Sequence, residues 1–211
     1  MNVKCFEFNL LPTNTYVVWD DTLEAVLIDV GCMYEGEKQT LARFIASEQL
    51  KVKHILCTHF HFDHVFGVPY FEQLCGLKCE AHPADAWWAE HNAEEVMTFG
   101  FRYPGEPATI GTPLADGDIV CFGHTTLQCL HTPGHSEGGM SFYEPEYGMV
   151  FVGDTLFASG GMGRTDLHGG DYAVLLSSIR NRLFALPDAT LVYPGHGPST
   201  TLRSERWYHN L

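Results

Sequence analysis

Thr58-His59-Phe60-His61-Phe62-Asp63-His64 follows the apolar run Ile55-Leu56-Cys57 and puts three imidazoles and one carboxylate within a few residues. The apolar run predicts a buried strand over His54–Thr58. In an extended chain alternate residues share a face, so His59 and His61 can point the same way. The chain must then turn, and Val65 to Leu74 predicts a helix. That leaves Asp63 and His64 on the turn, aimed back over the strand end. Neutral imidazole and carboxylate are the donors that a borderline divalent ion such as zinc prefers. One ion cannot use all four and keep a position open for substrate, so the cluster suggests two adjacent ions. Without metal, these groups would be crowded and unpaired beside Phe60 and Phe62, which is costly.

Outward from this stretch, strands dominate and helices punctuate them. Upstream, Val3–Phe8, Thr15–Trp19 and Ala25–Val30 are apolar runs parted by Pro12-Thr13-Asn14 and Asp20-Asp21-Thr22, which predicts an antiparallel meander. Glu35–Leu50 carries a helical stripe of Leu41, Phe44, Ile45 and Leu50. Downstream, Lys78–His82 predicts a strand, and Pro83 suits the first turn of a helix through Trp87-Trp88, a pair expected in the core. Glycines and prolines make residues 97–117 a long surface loop. The second half then offers strands at Asp118–Phe122, Thr126–Thr132, Gly139–Tyr143, Met149–Val152 and Thr190–Tyr193. Helices are expected over Leu175–Leu186 and Thr201–Tyr208. The pattern is α/β, with two sheets face to face and helices outside.

Three further donors stand at strand ends beside glycine, where backbone can approach an ion or a substrate closely. They lie in Thr132-Pro133-Gly134-His135, in Val152-Gly153-Asp154, and in Tyr193-Pro194-Gly195-His196-Gly197. His59-x-His61-x-Asp63-His64, followed by His135, Asp154 and His196 in that order, resembles the metallo-β-lactamase superfamily. The resemblance runs from about Asp29 to His196, nearly the whole chain. It implies one domain over residues 1–211, folded as an αβ/βα four-layer sandwich. It implies that His59, His61 and His135 hold one metal, that Asp63, His64 and His196 hold the second, and that Asp154 bridges them. The cofactors implied are two divalent ions, zinc first, with iron or manganese as alternatives.

Within the superfamily, secreted β-lactamases usually carry a signal peptide and a cysteine ligand, and neither is visible here. Diiron flavoproteins place glutamate at the position of His61. The segments Gly153-Asp154-Thr155-Leu156-Phe157, Gly161-Met162-Gly163-Arg164-Thr165-Asp166 and Pro194-Gly195-His196-Gly197-Pro198 are similar to glyoxalase II and to persulfide dioxygenases. The chain stops at Leu211, short of the helical C-terminal domain of two-domain glyoxalase II, and so resembles the single-domain glyoxalase-II-like subfamily. The implied activity is hydrolysis of a thioester such as S-lactoylglutathione by a metal-bridging hydroxide. Asp63 and Asp154 would be the catalytic carboxylates. The alternative is a mononuclear-iron persulfide dioxygenase. Asp29, at the end of the third strand, is a candidate to accept the proton of a ligand imidazole. Arg164 is a candidate partner for a substrate carboxylate because its planar fork pairs bidentately, the alternative being a surface pair with Asp166.

Composition narrows the partners. Twelve Lys and Arg against 26 Asp and Glu give a net charge of −14. Such a field repels phosphate backbones and anionic lipid, so neither nucleic acid nor membrane is an expected partner. It also gives an anionic substrate such as glutathione no long-range help. The seven cysteines include no Cys-x-x-Cys pair, and most fall in apolar runs, as expected of reduced thiols in the cytoplasm. The N-terminus has no apolar signal segment and no run reaches the length of a membrane span.

Overall fold

A computed structural model describes residues 1–209. Two mixed six-stranded sheets form it, each from one stretch of chain. The first runs in sequence order through β1 (Asn2–Phe8), β2 (Thr13–Trp19), β3 (Glu24–Ile28), β4 (Lys51–Leu56), β5 (Cys79–Ala81) and β6 (Thr112–Pro113). The second comprises β7 (Ile119–Phe122), β8 (Thr125–His131), β9 (Met140–Glu144), β10 (Met149–Gly153), β11 (Leu191–Pro194) and β12 (Thr200–Thr201). The opening meander is antiparallel, while β3, β4, β5 and β6 pair in parallel, as do β10 and β11.

Period-two alternation sorts the side chains into layers. Val18, Val26, Ile28 and Leu56 meet Leu127, Met140, Phe142 and Phe151 between the sheets. On the opposite face Val17, Ala25, Leu27 and Ile55 pack with Leu41, Val68, Phe71 and Trp88 from the helices. Those helices are α1 (Glu35–Ser47), α3 (Val68–Cys75) and α4 (Ala86–Thr98). The second sheet buries Val150, Val152 and Val192 against Leu175, Ile179 and Leu202 of α5 (Tyr172–Ser178), the π-helical turn after it, and α6 (Leu202–Tyr208). The result is the αβ/βα sandwich.

The structure corrects several boundaries. The helix expected over Val65–Leu74 is two helices, α2 (Phe62–Val65) and α3, broken at Phe66-Gly67. Gly67 donates its amide to Val30 O at 2.8 Å, and a Cβ there would collide with the Cys32 sulfur, so the chain cannot run straight through. Asp63 and His64 therefore sit in a short helix and not on an open turn. The helix expected over Leu175–Leu186 starts earlier, at Tyr172, where Asp171 caps it by accepting the Val174 amide, and it winds into a π turn over Ile179–Leu183. The long loop shortens at both ends, because α4 reaches Thr98 and Thr112–Pro113 joins the first sheet.

Candidate metal centre

All the predicted donors meet at one end of the sandwich, where the two sheets face each other. β4 stops at Leu56, and the chain runs irregularly through His59 to His61, the residue before α2. His135 follows β8, Asp154 follows β10 and His196 follows β11. Three groups of donor atoms lie within 4.8 Å of one another: His59, His61 and His135; His59, His64 and Asp154; and Asp63, His64 and His196. The His196 Nε2 atom is 3.4 Å from Asp63 Oδ2 and 3.3 Å from Asp154 Oδ2. The His64 Nε2 atom is 3.4 Å from both Asp63 Oδ2 and Asp154 Oδ1. The His135 Nε2 atom is 3.6 Å from Asp154 Oδ2, so Asp154 faces imidazoles of both the His59, His61, His135 trio and the Asp63, His64, His196 trio.

Local backbone explains these placements. The β10–β11 register slips between Phe151 and Gly153, a bulge that re-aims the chain just before Asp154. Gly195 has no room for a Cβ, which would strike Asp154 Oδ1 and His64. Gly153 is left-handed at φ 52° and lies on Thr58. Asp29 also adopts positive φ, 54°, a conformation that aspartate tolerates better than most residues.

On His64, His135 and His196 the outer ring nitrogen faces an oxygen that only accepts, which sets the tautomer. His135 Nδ1 donates to Arg164 O at 2.7 Å and His196 Nδ1 to Pro12 O at 3.1 Å. His64 Nδ1 lies 3.0 Å from Asp29 Oδ2, so Asp29 stands where a proton acceptor for that imidazole is needed. The same carboxylate accepts the Thr58 amide at 2.7 Å and the Thr58 hydroxyl at 2.6 Å. Thr58 Oγ1 is in turn 3.1 Å from His59 Nδ1. The inward atoms, Nε2 of His59, His61, His64 and His135 and Oδ1 of Asp154, are buried with no hydrogen-bond partner. Buried polar atoms seldom go unsatisfied, and five pointing at one spot fit a set of metal donors.

Electrostatics differ across the cluster. Burial and the neighbouring imidazoles hold His59 and His61 well below the usual histidine range, so both are neutral, as ligation requires. Burial also opposes charge on His64 and His196, but the Asp63 and Asp154 carboxylates outweigh it and raise both, His196 to about 10. Burial alone would raise Asp63; the charges of His64 and His196 instead pull it down to about 2. This end of the cluster attracts positive charge.

Some residues at the site carried no signal in the sequence. Asp85, buried just before α4, accepts from Phe60 N at 3.0 Å, Ser136 Oγ at 3.0 Å and Gly138 N at 2.6 Å. It thereby ties the loop of His59 and His61 to the loop of His135. Thr13 Oγ1 donates to Asp63 Oδ2 at 2.8 Å, and Asn9 Nδ2 to Asp63 O at 3.1 Å. Trp88 packs in the core as expected, yet its ring also meets His61 edge-on at 4.1 Å and lines the cavity. Arg164 stands on the cavity wall with its guanidinium engaged by both Asp166 oxygens, at 2.6 and 2.7 Å.

The profile of the metallo-beta-lactamase superfamily matches residues 8–196. The chain belongs to that superfamily. Hydroxyacylglutathione hydrolase GloC of Haemophilus influenzae is 34% identical over 209 residues, covering 98% of this chain and 95% of that one. Among solved structures, TTHA1623 in a di-iron-bound form is 38% identical with a TM-score of 0.84, covering 96% of each chain. The B3 metallo-beta-lactamase BLEG-1 is 34% identical with a TM-score of 0.86, covering 97% of this chain and 96% of that one. The superfamily match and the His/Asp cluster together make this a metallo-hydrolase with a centre suited to divalent ions. No described helix is long and apolar enough to cross a membrane.

Proposed function

We propose that this protein is a cytoplasmic thioester hydrolase that uses two divalent ions, most simply zinc, on a small substrate of the S-lactoylglutathione kind. The observation that carries this reading is the set of unpartnered inward Nε2 atoms converging with Asp63 and Asp154 beneath an open cavity. The likeness to a hydroxyacylglutathione hydrolase supplies the substrate class. His59, His61 and His135 would hold one ion, Asp63, His64 and His196 the other, and Asp154 would reach both.

Bound divalent ions supply Lewis acidity and lower the pKa of water from 15.7 toward about 7. The protein's part is to hold charge and orientation. Asp63 and Asp154 are both pulled below the usual carboxylate range, so they stay ionised at neutral pH. Asp29, Arg164 O and Pro12 O keep the Nδ1 protons of His64, His135 and His196 in place and leave each Nε2 free as a donor atom. Among the described residues no serine, threonine or cysteine lines the cavity, so water is the nucleophile that fits. The new C–O bond forms as the C–S bond breaks, and the thiolate, of pKa about 8.5, leaves with little need of a proton donor.

The test is a metal analysis and three assays on one preparation from the native host: thioester cleavage, oxygen uptake on glutathione persulfide, and β-lactam cleavage. Two equivalents of metal with thioester cleavage are expected. Oxygen uptake with a single iron and no thioester cleavage would instead establish the dioxygenase. Turnover of the β-lactam alone would overturn both.

A further inference from the structure

The cavity above the donors has a volume of about 330 Å³. Apart from the His and Asp donors and Gly163, its walls are Leu11, Phe62, Trp88, Phe99, Phe157 and Leu167, with Arg164. Trp88 is locked in place, its indole N–H donating to His168 O at 3.2 Å. Among the described residues Arg164 is the one guanidinium or ammonium group on the walls, and it already faces both Asp166 oxygens. The chain around it carries a net charge of −14.

This lining bears on which half of a thioester is recognised. The reacting carbonyl must sit among the inward Nε2 atoms, and from it the acyl group and the thiol extend in two directions. A glutathione thiol brings carboxylates and an ammonium, and setting these against aromatic walls strips their water with no partner in return. An apolar acyl group gains from the same walls. The side chain of His196 is 28% exposed, which marks the open edge through which a charged thiol can stay in water.

Resting on the thioester reading of this site, we propose that substrate selection lies in an apolar acyl group and not in the thiol. The substrates are thioesters of medium-length aliphatic or aromatic carboxylic acids. Water adds at the carbonyl carbon, the C–S bond breaks, and the products are the free carboxylic acid and the thiol. Trp88 and Phe157 are the side chains that set the preference.

Acetyl, butanoyl, hexanoyl and octanoyl thioesters of N-acetylcysteamine and of glutathione test this with the zinc-loaded protein. Each buried methylene should raise kcat/KM roughly fourfold until the cavity fills. At any one acyl length the two thiols should differ by less than tenfold. A flat or falling chain-length series, or a tenfold or greater preference for glutathione, would overturn the proposal. Cleavage of no thioester would instead remove the hydrolase reading on which it rests. In Phe157→Ala the ratio of hexanoyl to acetyl turnover should fall severalfold, and an unchanged ratio would discard Phe157 as a determinant.

Discussion

His59, His61 and His135 offer three imidazoles and no carboxylate, while Asp63, His64 and His196 offer a carboxylate with two imidazoles. The first trio has its two loops tied together by Asp85, which accepts the Phe60 amide, the Ser136 hydroxyl and the Gly138 amide, while neutral groups, Thr58 Oγ1 and Arg164 O, face the Nδ1 atoms of His59 and His135. The second trio is held at its ligand side chains, with Asp29 on His64, Thr13 on Asp63 and Pro12 O on His196. The first is buried throughout, whereas His196 at the open end is 28% exposed. Where charge gathers, each donor atom needs its own partner, because like and unlike charges there would otherwise re-pair among themselves.

This contrast can be broken most completely at Asp154, whose carboxylate faces imidazoles of both trios. Asp154→Ala should abolish turnover, by more than about a hundredfold, and leave at most one ion per chain by elemental analysis. Wild-type turnover with full metal content would remove Asp154 from the centre.

Asp29→Asn keeps the shape and tolerates positive φ, but its NH₂ group must oppose either the Thr58 amide or the pair formed by the Thr58 hydroxyl and the His64 N–H. Metal affinity should drop about 10- to 100-fold, first at the Asp63, His64 and His196 end. A cobalt titration read by its visible spectrum distinguishes that end from a uniform loss.

Asp85→Asn should reverse the selectivity. The amide oxygen can replace either Oδ2, which holds Phe60 N and Ser136 Oγ, or Oδ1, which holds Gly138 N, and the NH₂ group then opposes the other site, so the three-imidazole end should weaken, by about tenfold, with the other end nearly intact. Equal loss at both ends would mean that Asp85 serves the fold as a whole.

The smallest effect lies away from the site and serves as its control. His54 places Nδ1 2.7 Å from Glu80 Oε1 and Nε2 3.0 Å from Cys121 O, and only the imidazolium can donate to both. Its hydrogen bond to Glu80 raises its pKa above the usual histidine value. A raised folded-state pKa stabilises fully below the unfolded value near 6.5 and is lost as pH climbs through the folded one. The melting temperature of His54→Gln should therefore trail the wild type more at pH 5.5 than at pH 8, by roughly 1–2 °C. Its metal content should not change.

The donor residues were legible because ligation is written in residue type: imidazoles and carboxylates beside glycines, at strand ends, have few other uses together. The layers were legible too, since Val26-Leu27-Ile28 alternates between the sheet interface and the helices. What stayed hidden is whatever depends on a meeting across the fold. Asp85 reads as an ordinary helix-start aspartate until Phe60, Ser136 and Gly138 arrive around it. The break at Gly67 is forced by Cys32, more than thirty residues earlier, although Gly67 and Pro69 mark its place in the sequence. A meeting across the fold also gives Thr13 its part, since its hydroxyl matters only because β2 begins beside Asp63.

The division of the chain into two consecutive sheets has a consequence for how its parts depend on one another. Every donor group draws two members from before β6 ends and one from after β7 begins: His59 and His61 with His135, His59 and His64 with Asp154, Asp63 and His64 with His196. Ions held by these donors would act as rivets across a seam that the described chain crosses once, between Pro113 and Ile119. A ligand held only by the joined form adds its binding free energy to the joint, about 2.7 kcal/mol at a hundred times its dissociation constant. Cut at that crossing, the protein would give two pieces that each keep a sheet with its strand neighbours but only a fragment of every donor set. Cation uptake would then measure their reunion.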